Sequence, residues 1–142
     1  MLYNDGKFLL VDHKKLRLWL PVGGELENGE TPQQAGRREV MEETGLECEF
    51  VKIAFEPRGT PDGFLGYEEH ETGIKGVHMN FCFLATTDSR DVKTDGSFNA
   101  HQWVTYAEAL KLAQDVHVPR NVIDLFDKIH GLSKQNLVSI QV

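Results

Sequence analysis

Residues 24–46 read GELENGETPQQAGRREVMEETGL, which spaces its small and charged residues as G-x5-E-x7-R-E-V-x-E-E-x-G-L. At average residue usage such a match arises by chance in a chain of this length on the order of once in ten million. The spacing therefore calls for a physical reason. Helix-start signals converge at Thr31, with a threonine suited to the N-cap, Pro32 at the first helical position and Gln34 as a capping-box partner. A helix is predicted from residue 32 to about 44, and Gly45 suits the left-handed position that ends it. Glu39, Glu42 and Glu43 then stand at i, i+3 and i+4, so their carboxylates leave one side of the helix. Unpaired, like charges at that spacing cost an isolated helix roughly 0.2–0.5 kcal/mol. A divalent cation among them reverses that cost, and hard oxygen donors suit Mg2+. Alone, an E-x-x-E-E cluster reads as a solvated helix face; the full spacing reverses that reading.

Gly24, Glu30, Arg38, Glu39, Val40, Glu42, Glu43, Gly45 and Leu46 together resemble the signature box of the Nudix hydrolases, with every defining position filled. The resemblance implies an enzyme that hydrolyses a nucleoside diphosphate linked to a further group, with Mg2+ or Mn2+ as cofactor. It implies metal ligation by Glu39, Glu42 and Glu43, with the main-chain carbonyl of Gly24 as a further ligand. Arg38 is expected to hold a carboxylate in its ligating rotamer, because guanidinium is a rigid, permanently charged fork. Arg38, Glu39, Glu42 and Glu43 are thus the expected catalytic set, with Glu30 as the structural partner of Arg38 across the loop. The implied fold is α+β, an α/β/α sandwich around a mixed β-sheet with the signature as loop–helix–loop. Outside 24–46 the likeness is one of element order. Only Met1-Leu2-Tyr3 precede the NDGKFLLV segment, so a short sheet edge is expected.

The 142 residues suit one domain, 1–142, long enough for one real core. Hydrophobic and charged shares of 40% and 26% are ordinary for a soluble globular chain. No apolar run approaches a membrane span, and the N-terminus lacks a basic-then-apolar export signal. Cys48 and Cys82 stand far apart and form no CxxC. Reduced, buried thiols in a cytoplasmic protein with no membrane partner are the expectation. The six histidines give no zinc pattern. A net charge of −7 argues against a nucleic-acid partner held through its phosphates. An acidic site can still take polyphosphate when metal ions screen it. His13-Lys14-Lys15-Leu16-Arg17 is the local exception. It reads either as a solvated hairpin turn or as a cationic lip steering phosphates, with Arg17 as a substrate contact. A homodimer stays open.

Strands are predicted over 7–11, after an Asn4-Asp5-Gly6 turn, and over 17–21, 47–55, 78–85 and 101–104; further helices are predicted over 106–114 and 121–130. In 78–85, Met79, Phe81, Phe83 and Ala85 share one face, and His78, Asn80, Cys82 and Leu84 the other. Val122, Phe126 and Ile129 line one side of the last helix. Residues 56–77 carry Gly59, Gly63, Gly66, Gly73 and Gly76 and an acidic knot at Glu68-Glu69-His70-Glu71. They read as a long irregular loop, of the kind that is functional or mobile. Strands with interspersed helices and no regular βαβ alternation give an α+β class with a mixed sheet.

In relatives that hydrolyse nucleotides, a glutamate in the loop before the late Trp-bearing strand often acts as base or extra ligand. Here 88–102 reads DSRDVKTDGSFNAHQ, with no glutamate. The candidate bases are Asp91, Asp95 and His101 there, Glu68, Glu69 and Glu71 in the long loop, and Glu39 in the box, ranked first. Pro119-Arg120-Asn121 resembles the MutT-type branch, which removes pyrophosphate from nucleoside triphosphates including 8-oxo-dGTP and reads the purine with an asparagine. Asn121 reads either as a helix cap or as a base contact. His78 and Asn80 are further substrate candidates. Phe81, Phe83 and Trp103 read as core, or with Tyr67 as a stacking surface. Pro61 lies near where ADP-ribose hydrolases carry a proline, but the extra N-terminal segment usual in those enzymes is not seen. The expected reaction is cleavage of a (deoxy)nucleoside triphosphate to monophosphate plus pyrophosphate. The alternatives are hydrolysis of ADP-ribose, another nucleotide sugar or a dinucleotide, and a Nudix-fold sensor that binds nucleotide without cleaving it. The intact box glutamates weigh against the sensor.

Overall fold

The computed structural model describes residues 1–54, 56–72 and 76–142. Along them run β1 (Leu2–Asn4), β2 (Lys7–His13), β3 (Trp19–Leu20), α1 (Pro32–Thr44), β4 (Glu49–Phe50), β5 (Phe64–Thr72), β6 (Gly76–Phe83), β7 (Ala85–Thr86), β8 (Phe98–Val104), α2 (Tyr106–Asp115) and α3 (Arg120–Lys134). Asp5 and Gly6, at φ 40 and 81, supply the paired left-handed residues of a tight hairpin. That turn folds β1 antiparallel onto β2, with Tyr3 opposite Phe8. On its other side β1 runs parallel to β7, and β7 pairs antiparallel with β4. The sheet is therefore mixed. β8 pairs with β2 from Phe8 to His13, so β1 and β3 share the opposite edge of β2. The expected short edge is instead an interior strand, held by neighbours on both sides.

β2 explains why helices cover both faces. Phe8, Leu9, Leu10 and Val11 are all buried, and alternation sends them to opposite sides. Phe8 and Leu10 join Val122, Phe126 and Ile129 of α3 in one core, which also takes in Val138 and Ile140 beyond the helix. Leu9 and Val11 join Val40 of α1 and Leu46 in the other. Phe8 meets Tyr3 and Phe126 edge-on, each with ring centroids 5.1 Å apart. Each such buried side chain contributes roughly 1.5–3 kcal/mol. The result is an α+β fold in α/β/α layers, as expected.

Several boundaries differ from expectation. The stretch 56–77 is not irregular throughout: from Phe64 on it supplies β5, which pairs antiparallel with β6, in register at Glu68↔Asn80 and His70↔His78. Its register shifts between Phe64 and Gly66, the mark of a β-bulge. The strand predicted over 47–55 contracts to Glu49–Phe50, although Val51 still donates to the Leu84 carbonyl at 3.0 Å. Two predicted positions, Phe55 and Gly73, lie outside the described residues. The strand over 17–21 contracts to Trp19–Leu20, since Arg17 takes φ 55 in the turn. The one over 101–104 extends back to Phe98, and the last helix runs on through Gly131 to Lys134. Cys48 is buried, whereas Cys82 is half-buried; both are free thiols. Among the described residues, no helix is long and apolar enough to cross a membrane.

Candidate functional site

The helix that carries the acidic cluster forms as its caps dictate. The Thr31 hydroxyl accepts from Gln34 N at 3.2 Å, and the Gln34 side chain accepts from Thr31 N at 2.9 Å. Gly45, at φ 67, ends α1 and donates to the Met41 carbonyl at 2.8 Å. Only Ala35, Val40 and Thr44 of α1 are buried, so the helix packs on a narrow stripe and leaves its carboxylates free to converge.

Arg38 is the hub of that convergence. Its Nε and Nη2 donate to the two carboxylate oxygens of Glu30 at 2.8 and 3.0 Å, the fork-to-fork pairing for which guanidinium is suited. Nη1 donates to Glu39 Oε1 at 2.8 Å and to Glu42 Oε2 at 3.0 Å, and Nη2 also reaches the Glu25 carbonyl at 3.0 Å. These hydrogen bonds from Arg38, with the Glu27 N–H, hold the Glu30 carboxyl below the usual carboxylate range. Glu30 and Arg38 thus clamp the loop 25–30 onto the helix.

Gly24 faces Glu39 so closely that a Cβ placed on it would overlap the Glu39 carboxylate. Glycine is needed there for close approach. Next to it, the Gly23 N–H donates to Glu43 Oε2 at 3.2 Å. Burial pushes the Glu43 carboxyl above its ordinary value; the Gly23 N–H opposes the shift, and the charges of Glu39 and Asp95 add to it. The site thus gathers more negative charge than Arg38 neutralises. Among the described residues no three His, Cys, Asp or Glu side chains are arranged to hold a metal ion, because Glu39 and Glu42 both turn toward Arg38. The donors are all hard oxygens, and the glycine cradle and the strained Glu43 charge fit a divalent cation in kind.

A second cluster brings together Asn80 and Asn121, both proposed from sequence as substrate contacts. Asn121 Nδ2 donates to Glu68 Oε1 at 2.8 Å, and Asn80 Nδ2 reaches the same oxygen at 3.1 Å. Asn121 is not a cap: Pro119 holds the N-cap position, with no side-chain hydrogen bond. His78 faces His70 across the hairpin with ring centroids 6.1 Å apart, on the face shared by Glu68 and Asn80. Arg17 stands apart in the β2–β3 turn, where its N–H donates to the His13 carbonyl. Phe81 corrects its core reading: it is 38% exposed and lies against the exposed Tyr67, ring centroids 5.3 Å apart. Phe83 is half-buried against Phe50 and Phe64, and Trp103 is half-buried against the core that holds Leu9 and Val11.

The remaining base candidates separate clearly. Glu69 accepts from the Tyr67 hydroxyl on the outer hairpin face. His101 is exposed on β8 against Phe98. Asp95 is the member of its loop whose charge is felt at Glu43. Sequence reasoning missed the shared acceptor role of Glu68 and the Gly23 N–H. The first depends on strand pairing that polar residues do not announce; the second could have been sought in the doubled glycine.

Comparison with known proteins agrees with this architecture. The family model described as NUDIX domain matches residues 1–126. A NUDIX-family hydrolase from Clostridium perfringens superposes with a TM-score of 0.71 at 22% identity, covering 90% of this chain and 93% of that one. A MutT NUDIX hydrolase from Burkholderia pseudomallei gives 0.67 at 17% identity, covering 90% and 92%. An Ap4A hydrolase from C. elegans gives 0.63 at 21%, covering 91% and 88%. At these identities the solved structures speak for the fold. The loop–helix–loop clamp on a mixed sheet is that of a pyrophosphate-bond hydrolase, and with most of its length matched the chain belongs to the NUDIX family. Nudix hydrolases act on nucleotide substrates and use divalent metal ions.

Proposed function

We propose that this hydrolase converts a nucleoside triphosphate, a purine one first, to monophosphate and pyrophosphate, with Mg2+ or Mn2+ held by Glu39, Glu42, Glu43 and the Gly24 carbonyl. The observation that carries the substrate reading is Asn121. It stands in the first turn of α3, has no capping duty and shares Glu68 with Asn80, so two amides gather on one face of the hairpin. Amides combine a donor and an acceptor and so match base edges.

When bound, the divalent ion stabilises charge on phosphoryl oxygens and lowers the pKa of a water. The chain's own residues do the rest. Arg38 holds Glu39 and Glu42 by their carboxylates, and Glu30 holds Arg38 in turn. Glu39, against the Gly24 cradle, is the first candidate to accept the proton of the attacking water. The two cores on one sheet support a single domain across 1–142.

The test is release of phosphate and pyrophosphate from a panel of triphosphates, dinucleotides, ADP-ribose and nucleotide sugars, with Mg2+ and with Mn2+. Triphosphates should lead, yielding pyrophosphate. If ADP-ribose or a dinucleotide outruns every triphosphate, the substrate reading fails. Binding without turnover of any nucleotide would make the chain a sensor.

A further inference from the structure

Glu68 Oε1 receives Nδ2 from both Asn80 and Asn121, at 3.1 and 2.8 Å. The donors come from different elements: Asn80 lies across the hairpin in register with Glu68, and Asn121 stands in α3. A primary amide offers a carbonyl oxygen at one end and two N–H groups at the other, and half a turn about its last bond exchanges them. A carboxylate oxygen accepts and does not donate. Each amide therefore bonds Glu68 in one of its two orientations only, with its NH2 end inward and its carbonyl turned away. All three residues are half-buried.

We propose that Glu68 is a specificity-determining positioning residue, which fixes the Asn80 and Asn121 amides so that two carbonyl acceptors meet the nucleobase. The inference rests on the proposed nucleotide-hydrolase reading and narrows its substrate class. A base edge with adjacent N–H donors satisfies both acceptors, as the ring N–H and exocyclic amino group of guanine do. Adenine, with a single exocyclic amino group on that edge, leaves one carbonyl without a donor. A polar site rejects a ligand that leaves its groups unpaired more sharply than an apolar slot can. Guanine nucleotides should therefore outrank adenine ones.

The experiment compares wild type with Glu68→Gln, whose side chain keeps its size but donates as well as accepts, so that either amide orientation is tolerated. kcat/KM is measured for GTP, ATP, CTP and UTP, and binding of the four nucleoside monophosphates by calorimetry. The guanine-to-adenine ratio should fall at least tenfold in Glu68→Gln. In an Asn121→Ala background, the same change should add little further. Should the Gln variant melt before assay, Glu68→Asp retains an acceptor-only group, and its ranking should keep the wild-type order at a reduced ratio. A wild type that cleaves no triphosphate sinks the substrate reading alone, because monophosphate binding still reports base preference. An unchanged ranking in Glu68→Gln, an equal loss for every base, additivity with Asn121→Ala, or a wild type without base preference overturns the role of Glu68.

Discussion

Gly24→Ala isolates the signature's geometry from its charge. No charge changes, and Gly24 does not occupy the left-handed region, so alanine brings no backbone strain. What it brings is a methyl group inside the Glu39 carboxylate. Ordinary carbon–oxygen contact is restored only when that carboxylate retreats by more than about 1 Å. The retreat is inexpensive for folding, because the displaced atoms are the far end of a flexible side chain. It is costly for chemistry, since Glu39 then leaves the Arg38 Nη1 donor now 2.8 Å away. A misplacement of about 1 Å at a reacting centre lowers rate by about a hundredfold, or roughly 2.7 kcal/mol of barrier. Steady-state kinetics at saturating divalent ion should therefore show kcat down about a hundredfold, with the melting temperature within a few degrees of wild type. A kcat within about threefold of wild type would refute the placement of Glu39 in the chemistry. A large loss of stability would instead mean that the cradle supports the fold.

Other expectations follow from the same cluster. Glu42→Gln and Glu43→Gln keep size but remove ligand charge, so each should lower kcat at least a hundredfold at saturating Mg2+; near-wild-type turnover in both would refute their role. Arg38→Lys keeps charge but loses the fork that grips Glu30 and Glu39 together; kcat should fall while KM moves little, and a raised KM at unchanged kcat would mean that Arg38 touches substrate. Asn121→Ala should lower kcat/KM for the best base by about 1–3 kcal/mol and flatten the ranking; a lower melting point with the ranking intact would refute the base contact. For the metal-free protein, the raised Glu43 carboxyl has a definite sign: the folded state binds its proton more tightly, so this contribution to stability is present at low pH and is lost as pH rises from about 4.5 through the raised value. The melting temperature of Glu43→Gln should gain on wild type as pH rises across that window, and parallel curves for the two proteins would contradict the assigned cause.

The sequence by itself determined what short-range physics controls. Thr31, Pro32, Gln34 and Gly45 act within one helical turn of the ends they define, and α1 begins and ends where they place it. The link of Arg38 to Glu42 follows from helical spacing alone. Alternation likewise sorted His78, Asn80 and Cys82 from Met79 and Phe81 on β6, because side chains on a strand point to opposite sides whatever lies beyond. Which face is covered is a different matter. Phe81 shares chemistry with core residues, yet it stays exposed beside Tyr67, whereas Phe83 on the same face of the strand is half-buried against Phe50. The hairpin itself was hidden because Glu68, Glu69, His70 and Glu71 carry no apolar alternation; their strand is defined by the partner strand's hydrogen bonds, which no single segment encodes. Tertiary structure alone decided that three-residue β1 lies inside the sheet, that Gly24 abuts Glu39, and that Asn121 meets a glutamate 53 residues away. Contacts over such separations arise from how layers stack, and layer stacking is a property of the whole core.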